Sequence, residues 1–458
     1  MSKRLLMLGF DCAEPDLVFN RWLDDLPNIS ALKEQGISGK MKSIIPSTTC
    51  PSWMSMLTGH QPGKLGFYGL RNRVDYSYNN FVVADSMMVK VKTIWNRLDE
   101  VGKKSILIGV PQTYPAKSIN GWQITGLLTP GINSEYTYPP ELKKEIEALV
   151  GDYKFDIDNL RGEYRKHILE QIYEMTEKRF KVAKYLMSTK EWDLMIMVEL
   201  GLDRIQHIFW HYFDPNHLNY PGKNQYQSIV KDYYIYLDKK IGELLEYINE
   251  DTAVMLVSNH GAKPMIGGIC INEWLIQEGY LKLKDKPEKI TSIQQLKVDW
   301  QNTIAWGYGG HYGQLYLNVA GREPSGVIPQ VDYEVVRNEL INKLKAITDE
   351  NGENIGTKIY KPENLYGDCN NIPPDLIILF GNLDWRSIES VGHECITLYR
   401  NNSRIDSANH KQHGIYIFMS KNTEKRENER INLLDVVPTI LDYFDLEIED
   451  ELAGRRIQ

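Results

Sequence analysis

Carboxylate, amide and imidazole side chains follow or precede short apolar runs at four separate places along this chain. The four places contain Asp11, the pair Asp203 and His207, the pair Asn259 and His260, and His410. These side chains are of the types that bind divalent cations in proteins. In open α/β sheets, ligands bind outside the carboxyl ends of the strands. Four such clusters at predicted strand ends favour one shared functional site over four unrelated positions.

Asp203 and His207 are four residues apart in a segment with helical periodicity. Side chains at positions i and i+4 are neighbours on one helix face, so this pair could hold a single cation. A structural hydrogen bond between the two side chains is the alternative explanation of the same spacing.

A threonine lies at the predicted start of a helix in the segment 46–53. The apolar residues 53–57 predict the helix, and Pro51 suits its first turn, where the missing amide hydrogen is not needed. Thr49 then lies near the N-cap, close to unpaired backbone N–H groups that can bind a phosphoryl oxygen. Thr49 could therefore be a nucleophile in phosphoryl transfer, or it could be a helix cap only.

Short runs rich in Val, Ile and Leu alternate with longer segments of helical periodicity. The predicted strands are 5–10, 105–110, 193–198, 253–258, 376–380 and 415–419. The predicted helices are 16–24, 30–35, 164–187, 225–249 and 333–347. This alternation predicts an α/β fold with a mostly parallel central sheet and helices on both faces. Such a sheet would bring the candidate residues to one edge.

Two regions are predicted to be additions to this core. Residues 59–158 mix Gly, Pro, Tyr and Asn with short strands, which is typical of loops that wall a binding cleft. Residues 263–373, with a predicted strand at 314–319, are expected to form a smaller inserted subdomain. The catalytic core is thus predicted in two parts, 1–262 and 374–458.

The composition narrows the possible partners. Of the 458 residues, 42% are hydrophobic and 25% are charged, as in an ordinary globular protein. A formal net charge of −8 argues against binding nucleic-acid polymers, so an anionic substrate would need a focused site. No apolar run reaches the roughly 18 residues of a membrane span, so no membrane partner is expected.

Five scattered cysteines without a CxxC pair favour a cytoplasmic location. The oligomeric state is left open by the sequence.

Together these motifs resemble those of the alkaline-phosphatase superfamily, in the branch of type I phosphodiesterases and nucleotide pyrophosphatases. In chain order the motifs are Gly9-Phe-Asp11, Thr49-Cys-Pro-Ser-Trp53, Asp203-Arg-Ile-Gln-His207, Asn259-His260-Gly261 and His410-x-x-x-Gly414. Softer matches at 110–114, 136–140, 318–324 and 435–439 extend the resemblance over nearly the whole chain.

The resemblance implies an alkaline-phosphatase-like fold and a site for two divalent metal ions. Zinc is the expected ion, and manganese is the alternative. One ion would be held by Asp203, His207 and His410. The other would be held by Asp11, Thr49, Asn259 and His260. Thr49 would attack phosphorus and form a phospho-threonine intermediate, which water would then hydrolyse.

Asn259 departs from the family pattern, because the family has an acid at this position. An amide oxygen can still be a ligand but carries no charge, so the second ion is expected to bind less tightly. A second departure is Leu65, which replaces the family's histidine in the segment after Pro62.

The candidate substrate-binding residues lie elsewhere in the chain. The asparagine that the family places after the nucleophile has no clear equivalent, and Arg71, Asn72 and Arg73 are near enough in sequence to replace it. A solvated turn is the alternative for these three residues. His311 is flanked by glycines, so its loop could approach a ligand, with a surface histidine as the alternative.

The sequence thus favours a metal-dependent hydrolase of a small phosphodiester, nucleotide-like or other. The first alternative is a phosphomonoesterase or phosphoryl transferase at the same site, which usually needs added positive groups around the dianionic phosphate. The second is a catalytically silent binding protein of this fold, an alternative that Asn259 favours. A sulfatase is disfavoured, because Thr49 stands where sulfatases use a modified cysteine or serine.

Overall fold

The computed structural model describes residues 3–158, 164–399 and 406–457. The β-strands of this described part are β1 (Arg4–Phe10), β2 (Ile37–Lys42), β3 (Arg71–Arg73), β4 (Phe81–Val83), β5 (Ser105–Val110), β6 (Gly121–Thr125), β7 (Thr137–Tyr138), β8 (Leu194–Glu199), β9 (Thr252–Val257), β10 (Gly261–Pro264), β11 (Gly267–Cys270), β12 (Ala305–Tyr308), β13 (Gly313–Leu317), β14 (Lys358–Tyr360), β15 (Leu376–Leu379), β16 (Trp385–Ile388), β17 (Thr397–Leu398), β18 (Ala408–Lys411), β19 (His413–Met419), β20 (Arg426–Glu427) and β21 (Ile431–Asn432). Its α-helices are α1 (Pro27–Gln35), α2 (Thr49–Thr58), α3 (Pro62–Leu65), α4 (Ile94–Asp99), α5 (Leu142–Val150), α6 (Arg165–Thr189), α7 (Gly201–Phe213), α8 (Ile229–Leu245), α9 (Ile271–Gln277), α10 (Tyr333–Lys345), α11 (Pro362–Tyr366) and α12 (Val436–Tyr443).

The chain divides into two compact units. The first contains residues 1–65, 84–262 and 410–458, and the second contains residues 66–83 and 263–409.

The first unit is built on a large mixed sheet. Over the described residues this sheet has ten strands in the order β20-β2-β19-β9-β1-β8-β5-β6-β7, with β21 paired to β2. The five strands from β9 to β6 run parallel to one another, whereas β19 is antiparallel to both of its neighbours. The central strands β1, β8 and β9 are apolar and buried along almost their whole length, as expected for parallel strands covered on both faces. The prediction of an α/β fold with a mostly parallel central sheet is confirmed.

The register of this sheet brings distant parts of the chain to one edge. Gly9 in β1 lies opposite Val198 in β8 and Val257 in β9. Because the three strands are parallel, the residues that follow them emerge side by side. Asp11, the start of α7 and the pair Asn259 and His260 are therefore neighbours.

The second unit has smaller sheets of its own. They are the antiparallel four-stranded sheet β12-β13-β15-β14, the three-stranded sheet β16-β11-β17 and the hairpin β3-β4. Buried aromatic and aliphatic side chains, among them Trp306, Tyr316 and Phe380, fill its core. This unit thus has a hydrophobic core independent of the large sheet.

The second unit differs from the predicted insertion at its far end. The apolar run predicted as a central strand at 376–380 forms β15, which pairs with β13 and β14. The second unit consequently extends to residue 409, and its first segment, 66–83, falls within the region predicted as cleft loops. The prediction failed here because an apolar run indicates a buried strand but carries no information about which sheet the strand joins. That residues 1–262 form the first part of a catalytic core stays a prediction.

Among the described residues, none of the helices combines the length and the apolar character needed to cross a membrane.

Candidate metal centre

Asp203 and His207 lie on one face of α7, as their spacing predicts. Oδ1 of Asp203 is 3.2 Å from Nε2 of His207 and 3.7 Å from Nε2 of His410. The two imidazole Nε2 atoms are 3.2 Å apart. All three side chains are buried. Three ligand-type atoms thus surround one small volume, as in a cation site.

Neighbouring groups orient these atoms. Nδ1 of His410 lies 2.7 Å from the carbonyl oxygen of Ser47; an Nδ1–H donor there leaves the lone pair of the neutral ring on Nε2. The second oxygen of Asp203 accepts a bond from Arg204, whose guanidinium also binds Asp156 at 2.7 Å. Burial raises the pKa of Asp203, but His207, Arg204 and His410 outweigh burial and hold that pKa well below its usual range. The carboxylate is therefore ionised.

Asp11 and His260 form the second group. Oδ1 of Asp11 lies 3.4 Å from Nε2 of His260, and both side chains are fully buried. Within the described part of the chain, neither of these two atoms has a hydrogen-bond partner. Burial, together with the charge of Asp203, raises the pKa of Asp11 to about 7. Burial lowers the pKa of His260 to about 4.

The two groups form one continuous cluster. The ligand atoms of Asp203, His260 and His410 all lie within 4.8 Å of one another, and the rings of His260 and His410 stack with centroids 3.8 Å apart. Buried acceptors that face each other without a donor are costly unless a cation or proton satisfies them. Imidazole and carboxylate donors suit zinc and neighbouring divalent ions. The residues present fit a divalent metal centre.

Helix α2 begins at Thr49 and is attached to this cluster through the residues around Thr49. The carbonyl of Ser47 binds His410, and the indole N–H of Trp53 donates to Oδ2 of Asp11 at 2.9 Å. A Cβ at position 9 would lie 2.3 Å from the Trp53 ring, so glycine is required in β1 for this approach. Thr49 is half-buried at the start of the helix, after an extended Thr48 whose side chain makes no cap bond. The first turn of α2 thus adjoins the cluster, and the N–H groups of Thr49 and Cys50 precede the first intrahelical bond, from Ser52 to Thr48.

The amide of Asn259, a predicted ligand, makes three hydrogen bonds within the first unit. Its Oδ1 accepts bonds from the backbone N–H groups of Cys12 at 3.2 Å and His260 at 3.1 Å. Its Nδ2 donates to Oγ of Ser52 at 3.2 Å. The amide of Asn259 also lies close enough to Asp11 to lower the pKa of that carboxyl, and its role as a metal ligand stays a prediction. In this arrangement Asn259 connects the loop after β1, the end of β9 and α2.

The sequence model of the family described as type I phosphodiesterase / nucleotide pyrophosphatase matches residues 5–415. The chain belongs to this family. It is a phosphodiesterase/nucleotide pyrophosphatase-type hydrolase, and phosphodiester hydrolysis is the activity of the family. Members are typically metal-dependent, and this phosphodiesterase has the buried Asp and His groups described above.

Solved structures support the fold of this phosphodiesterase. Murine ectonucleotide pyrophosphatase/phosphodiesterase 5, an inactive variant in complex with AMP, is 12% identical with a TM-score of 0.57, over 100% of this chain and 98% of that chain. The human protein of the same name is 13% identical with a TM-score of 0.55, over 99% and 97% of the two chains. Among curated proteins, no sequence matches. The likeness identifies the alkaline-phosphatase-like fold that the sequence predicts.

The predicted substrate-binding residues of the phosphodiesterase all lie in the second unit. Arg71 is exposed at the start of β3. Asn72 is buried, and its amide forms hydrogen bonds with the backbone of Tyr68 and Gly69. These bonds stabilise the turn 68–72 and do not leave the amide exposed to a ligand. Nδ1 of His311 lies 3.0 Å from Oδ1 of Asn409. The substrate-binding roles of Arg71 and His311 stay predictions.

Some residues around the candidate metal centre were not singled out from the sequence. Trp53 was part of a motif, but nothing in the sequence indicates that its indole binds Asp11, 42 positions away. Arg204 directly follows Asp203, and a basic residue beside a buried acid is a signal that could have been used. Glu14, three residues after Asp11, could have been recognised as an acid in the turn after the first strand.

We expect Asn259→Asp to increase metal affinity in this phosphodiesterase. One carboxylate oxygen would keep the bonds from Cys12 and His260, and the other would replace Nδ2, which cannot be a ligand. The added charge and lone pairs favour cation binding. Activity at limiting metal should therefore rise by about 10-fold or more. The measurement is turnover of a diester against added zinc or manganese for both proteins. The control is Ser52→Ala, which removes the acceptor of the Nδ2 bond and the bonds from Oγ to the carbonyl oxygens of Thr48 and Thr49 but adds no charge. Superimposable titration curves for Asn259→Asp and the natural chain would show that residue 259 does not influence the metal centre.

Proposed function

We propose that this chain is a metal-dependent phosphodiesterase that transfers a phosphoryl group first to Thr49 and then to water. The observation that supports this proposal is the buried cluster of Asp11, Asp203, His207, His260 and His410 beside the first turn of α2. Helix starts bind phosphoryl oxygens, and an adjacent divalent centre is the other requirement of the reaction.

Two divalent cations are proposed, most simply zinc, with manganese as the alternative. Asp203, His207 and His410 would hold one. Asp11, Thr49, Asn259 and His260 would hold the other. Bound there, such ions supply Lewis-acid stabilisation of the phosphoryl charge and lower the pKa of a ligated hydroxyl.

Thr49 would take part in two displacements at phosphorus, as the nucleophile in the first and as the leaving group in the second. In the first, a bond forms between Oγ1 of Thr49 and phosphorus while the ester bond to the leaving alcohol or phosphate breaks. The hydroxyl of Thr49 loses its proton to solvent. The leaving oxygen takes up a proton from solvent when its pKa is above the pH of the solution. In the second, water attacks phosphorus, the bond to Oγ1 breaks, and Thr49 regains a proton. The N–H groups of the first turn of α2 would bind a non-bridging oxygen in both steps.

A diester is favoured over a monoester by the charges of the chain. A dianionic monoester needs extra positive groups, and Arg71 with Arg73 were the candidates. Arg73 forms a fully buried ion pair with Glu323 at 2.9 Å and is neutralised. A nucleotide-like diester is the proposed class, since a solved relative of this fold contains AMP. The five free cysteines agree with the proposed cytoplasmic location.

The test compares two chromogenic substrates on metal-stripped protein, with zinc or manganese added back. Bis-p-nitrophenyl phosphate should be hydrolysed in a metal-dependent manner, at least about 10-fold faster in kcat/KM than p-nitrophenyl phosphate. Preference for the monoester would support the phosphatase alternative. Cation binding with no turnover of either substrate would support a catalytically silent binding protein and overturn the proposal.

A further inference from the structure

Glu14 lies in the turn after β1, three residues beyond Asp11, and is only 2% exposed. Its Oε1 accepts bonds from Nζ of Lys411 at 2.6 Å and from the N–H of Asp16 at 3.2 Å. Its Oε2 accepts a bond from the N–H of Ala262 at 3.2 Å. One buried carboxylate therefore contacts its own turn and two other segments of the first unit.

Each of these segments carries a residue of the metal centre. Asp11 begins the turn that contains Glu14. Ala262 is two residues after His260, and Lys411 directly follows His410. The three contacts of Glu14 thus connect the backbone behind three proposed ligands that are far apart in sequence.

The space around this carboxylate is closely fitted. A Cβ at position 261 would lie 2.5 Å from Oε2 of Glu14 and 2.4 Å from the carbonyl oxygen of His413. Only glycine can therefore follow His260 while Glu14 keeps its position. The glycine of the His-Gly motif is explained by this contact.

Other bonds fasten the same turn to the end of β9 but do not reach the third segment. The N–H of Ala13 donates to Oγ of Ser258 at 2.8 Å, and the N–H of Cys12 donates to Asn259 at 3.2 Å. Among the described contacts of residues 12–14, the bond from Glu14 to Lys411 is the one that reaches the segment of His410. Strands β10 and β18 pair with each other, so the segments of His260 and His410 stay connected without this bond. Removing it should loosen the turn of Asp11 relative to the segment of His410.

In this ion pair the carboxylate of Glu14 is buried, whereas the side chain of Lys411 is 37% exposed. Such a pair adds little net stability, because desolvation of the carboxylate offsets the attraction of the two charges. Its geometric demand is high, since both charges must stay in contact. A role in fixing geometry accounts for the pair better than a role in overall stability.

We propose that Glu14 is a positioning residue that fixes Asp11, His260 and His410 relative to one another through Ala262 and Lys411, and so raises the affinity of the centre for its cation. This inference rests on the proposed function. Glu14 does not touch the metal or the substrate; it acts through the three segments. Groups behind metal ligands typically change affinity by about 10-fold to 100-fold.

The test measures the Kd for zinc of the full-length apoprotein by competition with a chromophoric chelator. Glu14→Gln keeps the shape of the side chain and removes its charge, so the Kd should rise by about 10-fold to 100-fold. Lys411→Met removes the partner and should raise the Kd similarly, which keeps the proposal testable if Glu14→Gln does not fold. At saturating zinc, kcat of both variants should return to within about threefold of the natural chain. A loss caused by misfolding would not be restored in this way.

Asp16→Asn is the matched control. Asp16 also pairs with Lys411, at 2.8 Å, but through an exposed carboxylate that contacts neither Ala262 nor His410 in any described bond. Its Kd should stay within about twofold of the natural chain. An unchanged Kd in Glu14→Gln, or an equal rise in Asp16→Asn, would overturn the positioning role. Failure of the natural chain to bind zinc or turn over a diester would instead refute the proposed function, so the two failures are distinguishable.

Discussion

Replacing Thr49 with alanine is expected to lower turnover of bis-p-nitrophenyl phosphate by at least about 10³-fold, because the attacking oxygen is lost. The fold should be retained, since Thr49 is half-buried and begins a helix whose first turn is fastened by Ser47, Ser52 and Trp53. Zinc should still bind, more weakly, through Asp11 and His260 and through the group of Asp203, His207 and His410. Steady-state kinetics and chelator competition on the purified variant give both results.

Thr48→Ala is the matched control for this change. Thr48 is the adjacent threonine, equally half-buried, and its side chain makes no helix-cap bond. Its turnover should stay within about threefold of the natural chain. Thr49→Ser, which keeps a hydroxyl, should retain a measurable part of the activity. Equal activity in Thr49→Ala and the natural chain would remove Thr49 from its role.

Asp203→Asn is expected to raise the Kd for zinc by at least about 10²-fold and to lower turnover with it. Oδ1 of Asp203 lies 3.2 Å from Nε2 of His207 and 3.7 Å from Nε2 of His410, so this carboxylate supplies the negative charge beside both rings. The amide keeps the size of the side chain but binds a cation less strongly. Chelator competition measures the Kd.

Asp156→Asn is the control for Asp203→Asn. Asp156 pairs with the same Arg204, at 2.7 Å, but is not placed near the histidines by any described contact. Its effect on the Kd should be at most about 10-fold, through the orientation of Arg204 alone. Equal losses in the two variants would mean that Asp203 acts only by holding Arg204, and the ligand role would be wrong.

Local pattern was enough to predict much of the fold. The apolar run at 105–110 coincides with β5 (Ser105–Val110), and the periodic segment at 333–347 contains α10 (Tyr333–Lys345). These predictions succeed because a strand that is buried on both faces is apolar throughout, whereas a helix that is buried on one face has apolar residues every three or four positions. The assignment of 376–380 to the central sheet was wrong, because pairing partners depend on contacts between residues that are distant in sequence.

In the candidate site, too, contacts between neighbours in sequence could be predicted, whereas contacts between residues distant in sequence could not. Asp203 and His207 could be paired from their spacing, because a helix fixes the distance between i and i+4. The orientation of Asn259 could not be predicted, because it depends on backbone donors at Cys12 and His260. The contact between Glu14 and Lys411 joins residues 397 positions apart, and no local sequence pattern predicts it.

The most direct test of the central claim is to trap the covalent intermediate. Zinc-loaded protein is mixed with bis-p-nitrophenyl phosphate, quenched in acid within the first turnover, digested and examined by mass spectrometry. The account predicts one p-nitrophenyl phosphoryl group on Thr49, which disappears when the quench is delayed until the substrate is consumed and is absent from Thr49→Ala. A burst of p-nitrophenolate with Thr49 unmodified, or an adduct on any other residue, would contradict the account.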